Sequence, residues 1–250
     1  MVALRTKIAR KLKRFFIDRI LTEYIKTVVY NERIPQYSEY SFSQEGEDLI
    51  LSSICEELEI VKYQEKGYYI DIGAHHPMRF SNTYHFYLKG WNGINIDAMP
   101  GSMNLFKILR ERDINLEIPI SETETEMDFY SFKEPAYNTL DSKIAKQRIA
   151  ENETLEKVYK LRTRTLESVL DEYLKEDTEI AFMTIDVEGF DMQVMNSNNW
   201  VRYRPKIIVV EDENFNFIDT TNSKIYKFLD QKGYVLIAKT RRNLFFLMND

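Results

Sequence analysis

The sequence has few cysteines, no long apolar run and no excess of positive charge, and each of these facts excludes a class of protein. The chain of 250 residues has one cysteine, Cys55, so it cannot form an internal disulfide or a thiolate metal cluster, and this fits a reducing compartment such as the cytoplasm. It has no apolar run of the length that a membrane span requires. Its formal net charge is −6, whereas a general nucleic-acid binder would be broadly basic, so we expect no nucleic-acid partner.

Glycine is also scarce. The chain has 8 glycines, so those present are expected where the backbone needs them. It has no G-x-G-x-x-G run, which disfavours a P-loop and the pyrophosphate sites of NAD and FAD enzymes. Hydrophobic residues make up 44% of the chain and charged residues 30%, which is ordinary for a globular protein with a sizeable core.

Residues 1–30 differ from the rest of the chain. They are rich in Lys and Arg, and their apolar residues recur at helical spacing with a basic opposite face. This predicts a basic amphipathic helix, followed by a linker to about residue 40. Two interpretations stay open: the helix docks on its own domain or a second subunit, or it lies peripherally on the anionic inner face of a membrane.

Beyond residue 40, strand-like and helical segments alternate five times before a terminal hairpin. The expected strands cover 68–72, 91–97, 114–120, 180–187 and 205–210, with hairpin strands at 233–238 and 244–248. Such alternation predicts an α/β domain over 41–250, with a mostly parallel sheet and helices on both faces. An insertion at about 125–164 adds two alternating strands, 125–132 and 158–165, and a polar helix over 142–156.

Four of the predicted strands end in acids or small polar residues, namely Asp71, Asp97, Ser121-Glu122 and Asp186. In a parallel sheet these ends share one edge, where ligands bind. Gly73 and Ala74 leave backbone amides accessible to a ligand, and Asp97 suits a carboxylate that accepts both hydroxyls of a ribose. Without phosphate-binding glycines, a cofactor with ribose and adenine but no pyrophosphate fits best, and S-adenosylmethionine is such a cofactor.

Five motifs carry a resemblance to a known family: Ser43–Asp48, Asp71–Pro77, Asn95–Asp97, Thr165-Leu166 and Ile185–Gly189. From about Phe42 onward, the chain resembles the FkbM family of S-adenosylmethionine-dependent methyltransferases, which have the seven-stranded, Rossmann-like class I fold. The resemblance implies that Asp71, Gly73 and Ala74 hold the methionine part of the cofactor and that Asp97 binds its ribose. It places Ser121 and Glu122 near the adenine and Gln44 over the cofactor. Asn82 and Ala98 are further candidate contacts.

The family is linked to O-methylation, so the expected acceptor is a hydroxyl of a sugar, a glycan or a secondary metabolite. A base must then reach the acceptor, and the candidates are His75, His76, Asp186 and Glu188. A second option is a Mg²⁺ ion held by Asp186, Glu211 and Asp212, which would lower the pKa of the acceptor hydroxyl.

The insertion, with Asn138-Thr139, is expected to form the acceptor side. Two rival interpretations come from other classes: an NAD-type dehydrogenase, and a non-catalytic nucleotide-binding module anchored by the basic helix.

Overall fold

The computed structural model describes residues 39–61 and 65–249. The predicted basic helix of residues 1–30 and nearly all of the predicted linker lie outside these residues, and both stay predictions. Within the two described ranges, no helix is both long enough and apolar enough to cross a lipid bilayer.

Seven of the strands in the described chain form one sheet. The strands are β1 (Tyr68–Ile72), β2 (Asn92–Asp97), β3 (Ile114–Glu117), β4 (Glu126–Phe132), β5 (Leu155–Arg162), β6 (Ile180–Ile185), β7 (Ile207–Glu211), β8 (Tyr234–Lys239) and β9 (Asn243–Met248). The sheet order is β3-β2-β1-β6-β7-β9-β8. The first five strands in that order run parallel, and β9 is antiparallel to both of its neighbours. The predicted α/β fold, with a mostly parallel seven-stranded sheet and a terminal hairpin, is confirmed.

Helices cover both faces of this sheet. They are α1 (Glu47–Glu57), α2 (Tyr84–Leu88), α3 (Met103–Leu109), α4 (Ser142–Ala150), α5 (Leu166–Tyr173), α6 (Asp191–Asn196) and α7 (Lys224–Gln231), with short 3₁₀ turns at Pro135–Tyr137 and Thr220–Asn222. Apolar residues of α5, α6 and α7 pack on one face, whereas those of α1 and α2 pack on the other.

The two faces form separate apolar cores because side chains alternate along a strand. Ile70 and Ile72 of β1 face the core under α5, α6 and α7, whereas Tyr69 between them faces the core under α1 and α2. Every residue of β6 is buried, as expected for a central parallel strand. Phe182 of β6 is fully buried and stacks on Tyr69 with 5.7 Å between ring centroids, so its truncation to alanine should cost about 3–5 kcal/mol.

The register of the parallel strands places their carboxyl ends side by side. Ile72 pairs with both Ile96 of β2 and Ile185 of β6. The residues that follow these three positions, Gly73, Asp97 and Asp186, therefore meet at one edge of the sheet. This is the edge where the sequence predicts a ligand site.

Element boundaries depart from the prediction at two informative points. β3 ends at Glu117 rather than at residue 120, since Pro119 has no N–H to give to the ladder. Helix α4 ends at Ala150 rather than at residue 156, because Asn152 takes a left-handed φ of 70° and β5 begins at Leu155. Within the segment predicted as an insertion, β4 and β5 pair antiparallel as a two-stranded sheet of their own.

Candidate active site

The turn after β1 is packed against both neighbouring strands. The backbone N–H groups of Gly73 and Ala74 donate to the carbonyl of Ile96, at 2.9 and 3.0 Å. Gly73 has a φ of 86°, and a Cβ atom there would lie 1.6 Å from the backbone oxygen of Asp186. Glycine is therefore required at this position both by its backbone angle and by the closeness of the β6 loop.

Asp97 at the end of β2 ties two loops together. Its carboxylate accepts from the backbone N–H of His75, at 2.9 Å, and from that of Met99, at 2.8 Å. Burial raises the pKa of this carboxyl. Because a carboxylate offers about four acceptor positions, Asp97 keeps capacity for ligand hydroxyls after both backbone contacts are made.

Asp71 does not line the cavity described below, and its expected contact with the methionine part of a cofactor stays a prediction. Its carboxylate accepts from the hydroxyl of Thr83 at 2.7 Å and is buried beneath the loop that follows β1. Burial raises the pKa of Asp71 to about 6, and the nearby Arg110 opposes that shift. The structure thus gives Asp71 a supporting position under the loop.

Arg110 is the centre of this buried polar network, and sequence reasoning missed it. The side chain is fully buried and bonds to the carboxylate of Asp113 at 2.8 Å, to the hydroxyls of Tyr69 and Thr83 at 2.8 and 2.9 Å, and to the carbonyl of Pro77 at 3.0 Å. The bond to Pro77 anchors the far end of the loop after β1. An arginine just after helix α3 looks like an ordinary surface residue in sequence, so no local signal marks it.

Both histidines of the loop line the cavity, and one ring nitrogen of each already has a hydrogen-bond partner. The Nδ1 atom of His76 accepts from the backbone N–H of Met78 and of Arg79, at 3.1 and 3.0 Å. The Nε2 atom of His75 lies 3.3 Å from Arg79 Nη1, and a guanidinium can only donate. Burial first, and Arg79 second, lower the pKa of both imidazoles. The histidines are thus held neutral, with their lone pairs occupied.

The loop after β6 holds Asp186 and Glu188 in place from several sides. The N–H of Asp186 donates to the carbonyl of Ile72 at 2.9 Å. The carboxylate of Asp191 accepts from the N–H groups of Val187 and Gly189, both at 3.2 Å. Glu188 adopts a left-handed φ of 55°, which is uncommon for a residue with a side chain. Two left-handed residues in succession, Glu188 and Gly189, turn the chain sharply between β6 and α6.

Asp186, Glu188 and Glu211 form a group of mutually repelling carboxylates. Glu211 lies beside Asp186 in register, because Ile185 of β6 pairs with Val210 of β7. Burial, followed by repulsion from Glu211 and Glu188, raises the pKa of Asp186 well above its usual 3.8. Burial and repulsion from Glu188 raise the pKa of Glu211 to about 8.

The predicted Mg²⁺ site finds no support in this arrangement. Among the residues that the structure describes, no three or more His, Cys, Asp or Glu side chains are grouped so as to hold a metal ion. Asp186 lines the cavity, whereas Glu211 and Asp212 do not. The carboxylate of Asp212 is engaged in its own loop, where it accepts from the hydroxyl of Ser223 at 2.6 Å and from the N–H of Asn214 at 3.2 Å.

A cavity of about 510 Å³ joins these loops at the carboxyl edge of the sheet. The predicted site residues that line it are Gln44, Gly73, His75, His76, Asn82, Asp97, Ala98, Asp186 and Glu188. The part of the chain predicted to face the acceptor contributes a wall that includes Phe129, Phe132, Asn138, Thr139 and Leu140. The volume is in the range of small-molecule sites.

Ala74, Ser121 and Glu122 do not line the cavity. Ala74 is buried against Met103 and Phe106 of α3. Glu122 accepts from the amide of Asn196 at 2.7 Å, and Ser121 is bonded through its backbone to Arg164. Because the strand pattern stops at Pro119, the cavity wall next to β3 comes from Ile118 and Ile120 instead. These two apolar residues were not singled out in the sequence, since nothing separates them from core residues.

Sequence comparison decides the family. The profile of the methyltransferase FkbM domain matches residues 71–236, well over half of the chain. The chain belongs to the FkbM methyltransferase family. Enzymes of this family depend on S-adenosylmethionine, so the predicted resemblance is confirmed. The matched segment begins at Asp71 and contains the Gly73 turn, Asp97 and the loop after β6.

Three solved structures show weak similarity to the chain. An FkbM methyltransferase from Methylobacillus flagellatus KT is 11% identical, with a TM-score of 0.44; the match covers 78% of this chain and 47% of that one. The present chain thus spans about half the length of that protein. The delta-N METTL16 MTase domain is 14% identical, with a TM-score of 0.46 and coverage of 93% and 96%.

A precorrin-6y C5,15-methyltransferase from Geobacter metallireducens GS-15 is 14% identical, with a TM-score of 0.39 and coverage of 88% of this chain and 96% of that one. No curated protein sequence matches the chain.

Proposed function

We propose that this chain transfers the methyl group of S-adenosylmethionine to a hydroxyl group of a sugar, a glycan or a secondary metabolite. The observation that carries the proposal is that one cavity joins the Gly73 turn and Asp97 to the loop of Asp186 and Glu188. Gly73 and Asp97 suit the cofactor, whereas Asp186 and Glu188 lie toward the wall formed by residues 129–140.

The cofactor side of the cavity suits a nucleoside without a pyrophosphate. Asp97 is partly exposed and keeps acceptor capacity for the two ribose hydroxyls. Ile118 and Ile120 offer an apolar surface to an adenine ring. Gln44 and Asn82 line the same cavity, and Asn82 is fixed by a bond from its amide to the hydroxyl of Thr184 at 2.9 Å. When bound, S-adenosylmethionine supplies a methyl group on a sulfonium centre. The main task of the protein is then to align the acceptor with that methyl group.

A base must remove the proton of the acceptor hydroxyl, and we assign this role to Asp186. The histidine lone pairs are occupied, and Glu188 is paired with Arg148. Asp186 lines the cavity, and its Oδ1 atom is buried without a hydrogen-bond partner. A carboxylate with a raised pKa is also the stronger proton acceptor once it is ionised. We therefore expect turnover to rise with pH through the titration of this carboxylate group.

The cofactor assignment is tested by titration calorimetry of the full-length chain with S-adenosylmethionine and, separately, with NAD. Binding of S-adenosylmethionine without binding of NAD is the expected result, and it would remove the dehydrogenase alternative. Absence of heat from S-adenosylmethionine at millimolar concentration would overturn the proposal.

The acceptor assignment is tested with methyl-labelled S-adenosylmethionine and a panel of sugars, glycans and hydroxylated secondary metabolites. Label should pass to an oxygen atom of one class of acceptor. Transfer to nitrogen or carbon acceptors alone would refute O-methylation. Cofactor binding without transfer to any acceptor would favour the non-catalytic binding module.

A further inference from the structure

The cavity carries an excess of negative charge. Within the described chain, the residues with formal charge that line it are Glu47, Arg79, Asp97, Glu156, Asp186 and Glu188. Five of these six are acids. The arginine is already paired, because its Nη1 atom lies 3.1 Å from the carboxylate of Glu134. A cleft lined by charge of one sign favours ligands of the opposite sign, so this cavity favours a cation.

Asp186 stands out among these acids. Glu47 accepts from the side-chain amide of Asn243 at 3.0 Å, and Glu188 is paired with the guanidinium of Arg148. The Oδ1 atom of Asp186, in contrast, is buried and has no hydrogen-bond partner. A buried carboxylate oxygen without a partner is costly, and the cost falls when a positive charge binds beside it.

The position of Asp186 identifies which cation can reach it. Its backbone oxygen touches the Gly73 turn, where a Cβ atom would approach it to 1.6 Å. The family implies that this turn holds the methionine part of S-adenosylmethionine, and that part carries the sulfonium. Repulsion from Glu188 and Glu211 disfavours a negative charge on Asp186, and a cation beside Asp186 would offset that repulsion. Arg148 and Arg242 pair with those two glutamates, whereas the Oδ1 atom of Asp186 has no partner.

We propose that Asp186 makes the site selective for the positive charge of the sulfonium, so that the protein binds S-adenosylmethionine more tightly than S-adenosylhomocysteine. This inference rests on the proposed function. The two compounds have almost the same shape, and they differ by one methyl group and one positive charge. Loss of that charge on methyl transfer removes the interaction with Asp186, and the spent cofactor leaves readily.

The experiment is titration calorimetry of the full-length chain with each compound at pH 8.5, where the carboxylate is more fully ionised. Wild-type protein should bind S-adenosylmethionine at least about tenfold more tightly, equivalent to about 1.4 kcal/mol. Asp186→Asn keeps the side-chain shape and removes the charge. It should lower the affinity for S-adenosylmethionine about tenfold and leave that for S-adenosylhomocysteine nearly unchanged. Binding of S-adenosylhomocysteine also reports that the variant is folded.

Asp171→Asn is the matched control. Asp171 lies on α5 outside the cavity, is 43% exposed and pairs with Arg202, so its loss should not alter the ratio of the two affinities. Equal or tighter binding of S-adenosylhomocysteine by the wild type overturns the inference without any variant. A parallel loss of both affinities in Asp186→Asn does the same, and neither result touches the proposed methyl transfer. If neither compound binds, the proposed function falls as well.

Discussion

The guanidinium of Arg148 pairs with the carboxylate of Glu188 and so joins helix α4 to the loop that carries Asp186. The same guanidinium donates to the carbonyl of Tyr137, and the hydroxyl of Thr139 donates to the carbonyl of Glu188 at 2.9 Å. The wall of the cavity and the loop after β6 are therefore held together by charge and by hydrogen bonds. This linkage also keeps Glu188 in its left-handed conformation.

Replacing Arg148 with methionine should destabilise the protein by about 1–3 kcal/mol, because it leaves the carboxylate of Glu188 half-buried and unpaired. Urea unfolding of the variant measures this loss. The double variant Arg148→Met, Glu188→Gln should recover part of the stability, since it removes the unpaired charge.

Lys160→Met is the control for this pair. Lys160 belongs to the same part of the chain, but its ion pair with Asp128 is exposed, so its loss should change stability little. If the Arg148 variant were as stable as the Lys160 variant, the linkage would have no energetic role.

Gly73→Ala should abolish cofactor binding and reduce stability. The new Cβ atom would lie 1.6 Å from the backbone oxygen of Asp186, so the turn and the β6 loop must separate. Gly46→Ala is a matched control, since Gly46 has a similar φ of 92° and lies outside the cavity, and a Cβ atom there meets nothing within 4 Å. The control should lose about 1 kcal/mol from backbone strain alone. Thermal melting measures the loss of stability in both variants, and calorimetry measures the loss of cofactor affinity. If both variants lost the same stability and affinity, the steric clash at Gly73 would have no effect of its own.

Asp97→Ala should weaken the binding of S-adenosylmethionine at least about tenfold, or about 1.4 kcal/mol. The variant loses the ribose acceptor and also releases the backbone N–H groups of His75 and Met99. Glu117→Gln is the control, because Glu117 pairs with Asp97 in register but is exposed. Unchanged affinity in the Asp97 variant, measured by calorimetry, would mean that the ribose lies elsewhere.

The raised pKa of Glu211 makes stability depend on pH. Its pKa is about 8 in the folded protein, against 4.5 ordinarily, so between these values the folded state binds more protons than the unfolded state. Stability therefore falls as pH rises across this window. Glu211→Gln removes this dependence and should raise the melting temperature at pH 8.5 by at least roughly 2–4 °C, with little change at pH 4.5. Melting curves that shift equally at both pH values would contradict the assignment.

The sequence was sufficient for the sheet and for the edge where the site lies. Strand patterns such as Ile180–Ile185 are continuous and apolar, and the polar residues after them follow from simple register. The sequence could not tell which polar residues turn into the cavity. Asp71 and Asp97 both belong to strands that end at the site. The carboxylate of Asp71 accepts a hydrogen bond from Thr83 and does not line the cavity, whereas Asp97 does.

Long-range contacts explain why the sequence analysis missed Arg110 and could not judge the two histidines. Besides its neighbour Asp113, Arg110 bonds to residues that lie 27 to 41 positions away in the chain, and no local pattern predicts those partners. Whether the lone pairs of the two histidines are available could not be predicted from the sequence for a similar reason. It depends on Arg79 and on backbone groups that only the folded loop brings near. The hydrophobic pattern of the sequence predicts the strands. Which acceptor atoms of the site side chains already have hydrogen-bond partners depends on the tertiary structure.

The placement of β9 has a consequence for how the protein is made. β9 follows β8 in the chain but lies between β7 and β8 in the sheet. During synthesis, the edge of β7 therefore stays open until residues 243–248 have left the ribosome, and β8 cannot join the sheet before then. The edge of β7 therefore stays unpaired while residues 212–242 are added, and an unpaired apolar strand edge is prone to aggregate.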